Sequence, residues 1–155
     1  MKFDIYEDYS EKGITFVREL FVEYEQSLGF PLDFQNFDKE LENLPGEYTP
    51  PEGCIFLCKV IEDIAGCIAL RKLEPEICEL KRMYVRKGYR GKGMGKQLAD
   101  KIIERAKEIG YRIMRLDTLS SMKTAIRIYE ELGFREIEAY RYNPFENAMY
   151  MEKEL

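Results

Sequence analysis

Apolar positions in the first part of the chain fall at helical spacing. Ile14, Val17, Leu20, Phe21 and Tyr24 recur every three or four residues, which predicts one face of a helix. Ser10 can cap its start, Gly29 stops it after Leu28, and Pro31 follows. A short strand at residues 3–6 precedes it, and a second helix is expected at 34–44, closed by Pro45-Gly46. Pro50-Pro51-Glu52-Gly53 reads as a loop, after which the period changes. Residues 54–61 and 64–70 are rich in Ile, Val and Cys, and Glu62-Asp63 between them suggests a hairpin. Residues 77–85 form a third central strand.

The strongest helical stripe comes next, with Leu98, Ile102, Ile103, Ala106 and Ile109 on one face and Gly110 at its end. Residues 113–116 read as a strand. Ser120 or Ser121 can cap a short helix that runs through Leu132 and is closed by Gly133. Residues 134–140 and 149–155 are the last strands. The order β-α-α-β-β-β-α-β-α-β-β, without repeats or low-complexity linkers, is a mixed α/β layer architecture.

A chain of 155 residues suits one domain, here taken as residues 1–155. Hydrophobic residues make up 45% and charged residues 34%, which is enough for a packed core. The formal net charge of −5 gives no electrostatic reason to expect nucleic acid as a partner. No apolar run is long enough for a membrane span, and residues 1–5 lack a signal-peptide stretch, so a cytoplasmic protein is expected. The chain contains no histidine, which removes Ser-His-Asp, Cys-His and imidazole chemistry and every His-ligated metal site. Cys54, Cys58, Cys67 and Cys78 lack the spacing of a zinc or redox motif and lie in strand-like stretches, so reduced, buried thiols are expected.

Charge is concentrated unevenly. Residues 1–70 carry 5 basic and 15 acidic side chains, whereas residues 71–96 carry 9 basic and 3 acidic ones. Within that basic segment, Glu79-Leu80-Lys81-Arg82-Met83-Tyr84-Val85 runs into a loop with Gly88, Gly91, Gly93 and Gly95, and a helix follows. Glycines allow positive φ and close approach of main chain to a ligand. The unpaired N–H groups of a helix start favour phosphate, and Arg90, Lys92 and Lys96 add charge, so a diphosphate is the natural guest. A P-loop would need lysine where Met94 stands, and the dinucleotide fingerprint would need glycine at Lys96.

What remains is Arg-x-x-Gly-x-Gly at Arg90, Gly93 and Gly95, between a strand and an amphipathic helix. Together with the Glu79–Val85 strand and the run Ala125-Ile126-Arg127-Ile128-Tyr129-Glu130-Glu131-Leu132-Gly133-Phe134, the sequence resembles the GNAT family, the GCN5-related N-acetyltransferases. The resemblance spans residues 3–155. It implies a mostly antiparallel central sheet whose fourth and fifth strands splay apart, with acetyl-CoA as acyl donor, no metal, and transfer to an amine.

The resemblance also implies roles. Main-chain N–H groups of Arg90, Gly91, Lys92, Gly93, Met94, Gly95 and Lys96 would hold the CoA diphosphate. The backbone of Met83, Tyr84 and Val85 would pair with the pantetheine arm, and Tyr84 or Val85, near a bulge, would point an N–H at the thioester carbonyl. Tyr129 would be the general acid for the departing thiolate, and Glu79 the general base for the ammonium. Met122 stands where many members carry a cofactor-contacting asparagine.

The acceptor side would draw on Phe30, Phe34, Phe37, Tyr140, Tyr142, Asn143 and carboxylates such as Asp33 and Asp38. That set suits a small primary amine or amino-acid derivative with an apolar portion. A protein N-terminus or lysine, or a CoA-binding sensor without turnover, are the alternatives. An exposed last strand makes a homodimer plausible.

Overall fold

The computed structural model describes residues 2–32 and 36–155. Among these, the chain runs β1 (Asp4–Tyr6), α1 (Glu11–Leu28), α2 (Phe37–Glu42), β2 (Cys54–Val60), β3 (Asp63–Glu74), β4 (Ile77–Val85), α3 (Met94–Ile109), β5 (Ile113–Leu119), α4 (Lys123–Glu131), β6 (Arg135–Ile137) and β7 (Ala148–Glu154). The strands form a seven-stranded sheet in the order β1-β2-β3-β4-β5-β7-β6. Every pairing is antiparallel except β4 with β5.

Alternation along the strands sorts side chains into two layers. Cys54, Phe56 and Cys58 of β2 pack with α3 and α4, while Ile55 and Leu57 pack with α1 and α2. Likewise Cys78 and Leu80 of β4, and Met114 and Leu116 of β5, lie on the α3/α4 side. The residues between them, Glu79, Lys81, Arg115 and Asp117, therefore face the α1/α2 side. All four cysteines are buried free thiols, raised above the ordinary value by burial.

The helix ends follow the sequence signals closely. Ser10 Oγ accepts from Gly13 N–H at 3.2 Å, and Gly29 and Gly110 end α1 and α3 in the left-handed conformation. Elsewhere the boundaries move. The β2–β3 turn is Ile61-Glu62, because Val60 pairs with Asp63. β3 extends to Glu74, which pairs with Ile77 across a tight turn. β5 continues to Leu119 alongside β7. β6 stops at Ile137, after which the chain crosses toward β4 and brings Tyr140 and Arg141 onto Glu79. α2 begins at Phe37, with residues 33–35 outside the described part. The start of α4 is Met122 with no side-chain cap, so neither Ser120 nor Ser121 fills that role.

Candidate active site

The parallel strands β4 and β5 pair at Ile77–Ile113, Cys78–Met114 and Glu79–Arg115, and the pairing stops there. Beyond Glu79 the strands diverge and leave a wedge in the plane of the sheet. On the other edge of β4, one residue of β3 (Ile68, between Cys67 and Ala69) opposes two of β4 (Arg82 and Met83, between Lys81 and Tyr84), which is a bulge. Arg82, at φ 59°, is its left-handed residue. The bulge therefore lies just before Tyr84 and Val85. A cleft occupies the wedge, with Lys81, Met83, Asp117, Thr118 and Tyr129 among its walls and Phe30, Asn143 and Phe145 toward its α1/α2 side.

At the mouth of the wedge the chain turns through a short 3-10 segment, Lys87–Tyr89, into α3. Several bonds hold this loop. Arg86 donates to Glu23 Oε2 at 2.7 Å and to the Ile64 carbonyl at 2.8 Å, and Tyr89 donates to Asp63 at 2.9 Å. Gly91 and Gly93 sit at φ 78° and 85°, where a side chain strains the backbone. Gly95 serves packing instead: a Cβ there would lie 3.2 Å from Ile128 Cδ1. The first helical bond runs from Gln97 N–H to the Gly93 carbonyl, and no side chain caps the helix start. The N–H groups of Met94, Gly95 and Lys96 are thus the orphan donors of a 16-residue helix. Lys92 and Lys96 are exposed beside them.

Main-chain groups of Val85 face the open edge. Arg86 N–H donates to Ala65 on β3, so alternation turns Val85 the opposite way, and its carbonyl accepts from Arg90 Nε at 2.8 Å. Tyr84 turns toward β3: a Cβ on Gly66 would meet its carbonyl at 2.6 Å. Its ring lies on the α1 side under the Arg90 guanidinium.

Tyr129 belongs to the α3/α4 layer, yet its hydroxyl reaches the wedge, 4.0 Å from Met83 Sδ. Burial raises its phenol well above the ordinary value, with the charge of Asp117 adding to the shift. Because the sheet opens here, a group from one layer meets groups from the other.

Glu79 is fully buried and surrounded by donors. Arg71 Nε donates to Oε1 at 2.8 Å, Tyr140 OH donates to Oε2 at 2.7 Å, and Arg141 pairs with Oε2. Burial alone would raise its carboxyl, but the charges of Lys81, Arg71 and Arg141 outweigh it and hold the value down at about 2. Lys81 is itself buried, and desolvation together with Arg82 pulls its ammonium down to about 8 against the pull of Glu79 and Asp117. Arg82 is held by Glu40 at 2.9 Å.

The sequence-predicted acceptor residues separate. Tyr140 is committed to Glu79 and stacks edge-on against Tyr150. Tyr142 is 76% exposed and is not among the cleft residues. Asn143 lines the cleft, its Oδ1 accepting from Phe145 N–H at 3.0 Å. Phe34 and Asp33 lie outside the described residues. Phe37 is buried against α1 rather than in the cleft. Met122 lines the cleft and takes the Thr118 hydroxyl at 3.6 Å on its sulfur. Reading the sequence missed Asp117, Thr118, Tyr24 and Phe145. For Asp117 a signal existed: it is the acidic residue of β5, two places past Arg115 and so on the same face of the strand.

Comparison with known proteins agrees with this fold. The model of the acetyltransferase (GNAT) family matches residues 14–134. An uncharacterised N-acetyltransferase of Schizosaccharomyces pombe is 40% identical over 135 residues, covering 86% of this chain and 83% of that one. A crystal structure of a GNAT-family acetyltransferase from Staphylococcus aureus superposes with a TM-score of 0.80 at 27% identity, covering 99% of each chain. A GNAT-family acetyltransferase from Elizabethkingia anophelis, solved with acetyl-CoA bound, has the same fold at a TM-score of 0.72 and 22% identity, with 99% of this chain and 98% of that one covered.

Proposed function

The chain belongs to the GNAT acetyltransferase family and is an acyl-CoA-dependent N-acyltransferase, and from that premise we propose that it moves an acetyl group from acetyl-CoA to the primary amine of a small acceptor. The amine attacks directly while both substrates occupy the wedge. The observation that carries this reading is the alignment of uncapped N–H groups at the start of α3 with the mouth of the β4–β5 wedge, into which Tyr129 projects.

The diphosphate of the donor sits on the N–H groups of Met94, Gly95 and Lys96 and on the Arg90–Gly93 turn, with Lys92 and Lys96 adding charge. The pantetheine arm runs along the open edge of β4. Val85, whose main chain faces that edge, takes the role of thioester-carbonyl donor in preference to Tyr84. A fixed donor of this kind stabilises the developing oxyanion, a contribution of about 3–4 kcal/mol where single donors have been removed from enzymes.

Tyr129 supplies the proton to the departing thiolate. Burial keeps the phenol protonated at working pH, so the proton is in place when negative charge appears on sulfur. Glu79 is a positioning residue rather than the base. A carboxylate held at about 2 and gripped by two arginines and a tyrosine is a poor proton acceptor, but it fixes Tyr140, Arg141 and Lys81 beside the cleft. The aromatic groups Tyr24, Phe30 and Phe145 favour an acceptor with an apolar portion.

The test is calorimetric titration with acetyl-CoA, followed by thiol release over a panel of primary amines. Binding accompanied by thiol release from at least one amine is expected. Binding without release across a broad panel would make the protein a CoA sensor, and no binding would remove the loop assignment.

A further inference from the structure

Tyr48 ends the short 3-10 turn Gly46–Tyr48 and is 1% exposed. Its ring has a clear place, edge-on to Phe21 of α1 with centroids 6.0 Å apart. Its hydroxyl has none: among the described residues it makes no hydrogen bond. A buried polar group without a partner costs stability, and native proteins keep few of them. Burial raises the phenol well above its ordinary value against the pull of Arg82. The oxygen therefore keeps its proton, and the group is a standing donor.

The hydroxyl belongs to the wall of a second cavity, of about 280 Å³, between α2, the 46–48 turn and β3. This cavity shares no lining residue with the acceptor cleft. Its volume is far beyond the ~10–15 Å³ that one water needs, so it can take a small molecule. Most charges on its walls are spent. Glu40 stands near enough for its charge to add to the Tyr48 shift, but its oxygens accept from Arg82 at 3.0 and 2.9 Å. Glu47 pairs with Arg71, which also reaches Glu79. Lys39 is exposed and has no ion pair among the described residues. The unspent charge and the unspent buried group are thus both donors. The ligand atom that suits them is an oxyanion, which accepts from one and is balanced by the other.

We propose that this cavity is a second binding site, for a small carboxylate or phosphate compound whose oxyanion accepts from the Tyr48 hydroxyl and faces the Lys39 ammonium. Two ion pairs connect it to the acceptor side. Arg71 runs from the cavity wall to Glu79, which holds Tyr140 and Arg141. Glu40 runs from the same wall to Arg82, the left-handed residue of the β4 bulge. Filling the cavity therefore acts on the amine's cleft and not on the α3 start. That effect, unlike the binding itself, rests on the acetyl-transfer reading above.

Succinate and inorganic phosphate, titrated separately by calorimetry, are the probes. At least one is expected to bind with a dissociation constant of about 1 mM or lower, and which one does so tells a carboxylate ligand from a phosphate. Tyr48→Phe keeps the ring and removes the donor. It should weaken that probe about tenfold or more, while its melting temperature without probe equals or exceeds that of the unmodified protein. Lys39→Gln, at an exposed position, should weaken the probe about two- to fivefold. With an amine that the protein acetylates, the bound probe should shift the amine KM about fivefold and leave the acetyl-CoA KM unchanged. Absence of binding by both probes overturns the proposal. So does binding that Tyr48→Phe leaves intact, as phosphate held at the α3 start would show. A lower melting temperature in Tyr48→Phe overturns it too, because the hydroxyl would then have its partner within the fold. An unchanged amine KM overturns the connection to the cleft. If the unmodified protein releases no thiol with any amine, the acetyl-transfer reading falls, and the titrations still decide the site.

Discussion

On the donor side of the wedge, the groups we assign to the ligand are main-chain atoms drawn from one stretch, residues 83–96. On the acceptor side they are side chains from α1, β4, β5, α4 and the 138–147 connection. The donor side needs left-handed glycines at Gly91 and Gly93 and a helix start without a cap. The acceptor side needs five segments brought into register. Backbone recognition tolerates change in most side chains but not in the backbone angles, whereas side-chain recognition can be retuned one residue at a time. A fixed donor and a variable acceptor suit that division.

The largest effect is expected from the buried ion cage beside the acceptor side. Glu79→Gln leaves Arg71, Arg141 and Lys81 facing a neutral amide, and breaking a buried ion pair from one side typically costs about 3–5 kcal/mol. The pH dependence has a definite sign. The folded-state value of Glu79 lies below its ordinary 4.5, at about 2. Its contribution is therefore present above about pH 4.5 and is lost as pH falls toward 2. Denaturant unfolding should show the variant weaker by about 3 kcal/mol at pH 7, with the gap to the unmodified protein closing between pH 4.5 and 2. A gap that does not change with pH would mean that the cage around Glu79 matters for shape alone. Acetyl-CoA affinity should hardly move, since the donor side does not touch this network.

Gly93→Glu attacks the donor side. It places a β-carbon at φ 85° and a carboxylate beside the orphan N–H groups. Left-handed strain is about 1–2 kcal/mol, and charge repulsion adds to it. Acetyl-CoA affinity should fall by about 100-fold or more, equivalent to about 3 kcal/mol of binding. Near-normal binding in titration would break the comparison, because the donor side would then not be main-chain recognition at the start of α3.

Tyr129→Phe tests the point where the halves meet. Its kcat should drop about tenfold or more, the lower range for a lost general acid, with acetyl-CoA affinity within about twofold. Unchanged turnover would return Tyr129 to the α3/α4 core, where its ring already packs edge-on with Phe134 at 5.7 Å.

The same contrast explains what could be read from the sequence. The element order, the capping Ser10, the stops at Gly29 and Gly110 and the glycine loop are local signals, and the structure carries them all. The splay of β4 and β5 was implied by resemblance and appears as pairing that ends at Glu79–Arg115. The state of Glu79 was not legible. A glutamate in a strand looks the same whether it is exposed or caged, and its partners Arg71 and Arg141 come from either side along the chain, the second from just past the stretch 134–140 that reads as strand. Asp117 was overlooked for a related reason: the predicted strand ended at Leu116, one residue short of it, whereas the pairing of β5 with β7 continues to Leu119. Side chains whose role depends on register across strands cannot be assigned before the register is known.

The smallest expected effect lies at the rim of the acceptor side. Phe30, just after α1, stacks on Phe145 of the 138–147 connection, with ring centroids 3.7 Å apart and planes 29° from parallel. The two rings tie the segments that flank the cleft. An aromatic pair of this kind contributes about 0.5–1.5 kcal/mol beyond its buried area. Phe145→Ala should therefore raise the KM for the amine by about two- to tenfold, since 1.4 kcal/mol corresponds to a factor of ten. The KM for acetyl-CoA should stay within about twofold, and so should kcat, because the clasp touches neither the α3 start nor Tyr129. Steady-state kinetics with each substrate varied in turn gives the split. A matching rise in the acetyl-CoA KM would mean that the two sides are mechanically coupled through the wedge, and the division between a backbone-built donor site and a side-chain-built acceptor site would have to be given up.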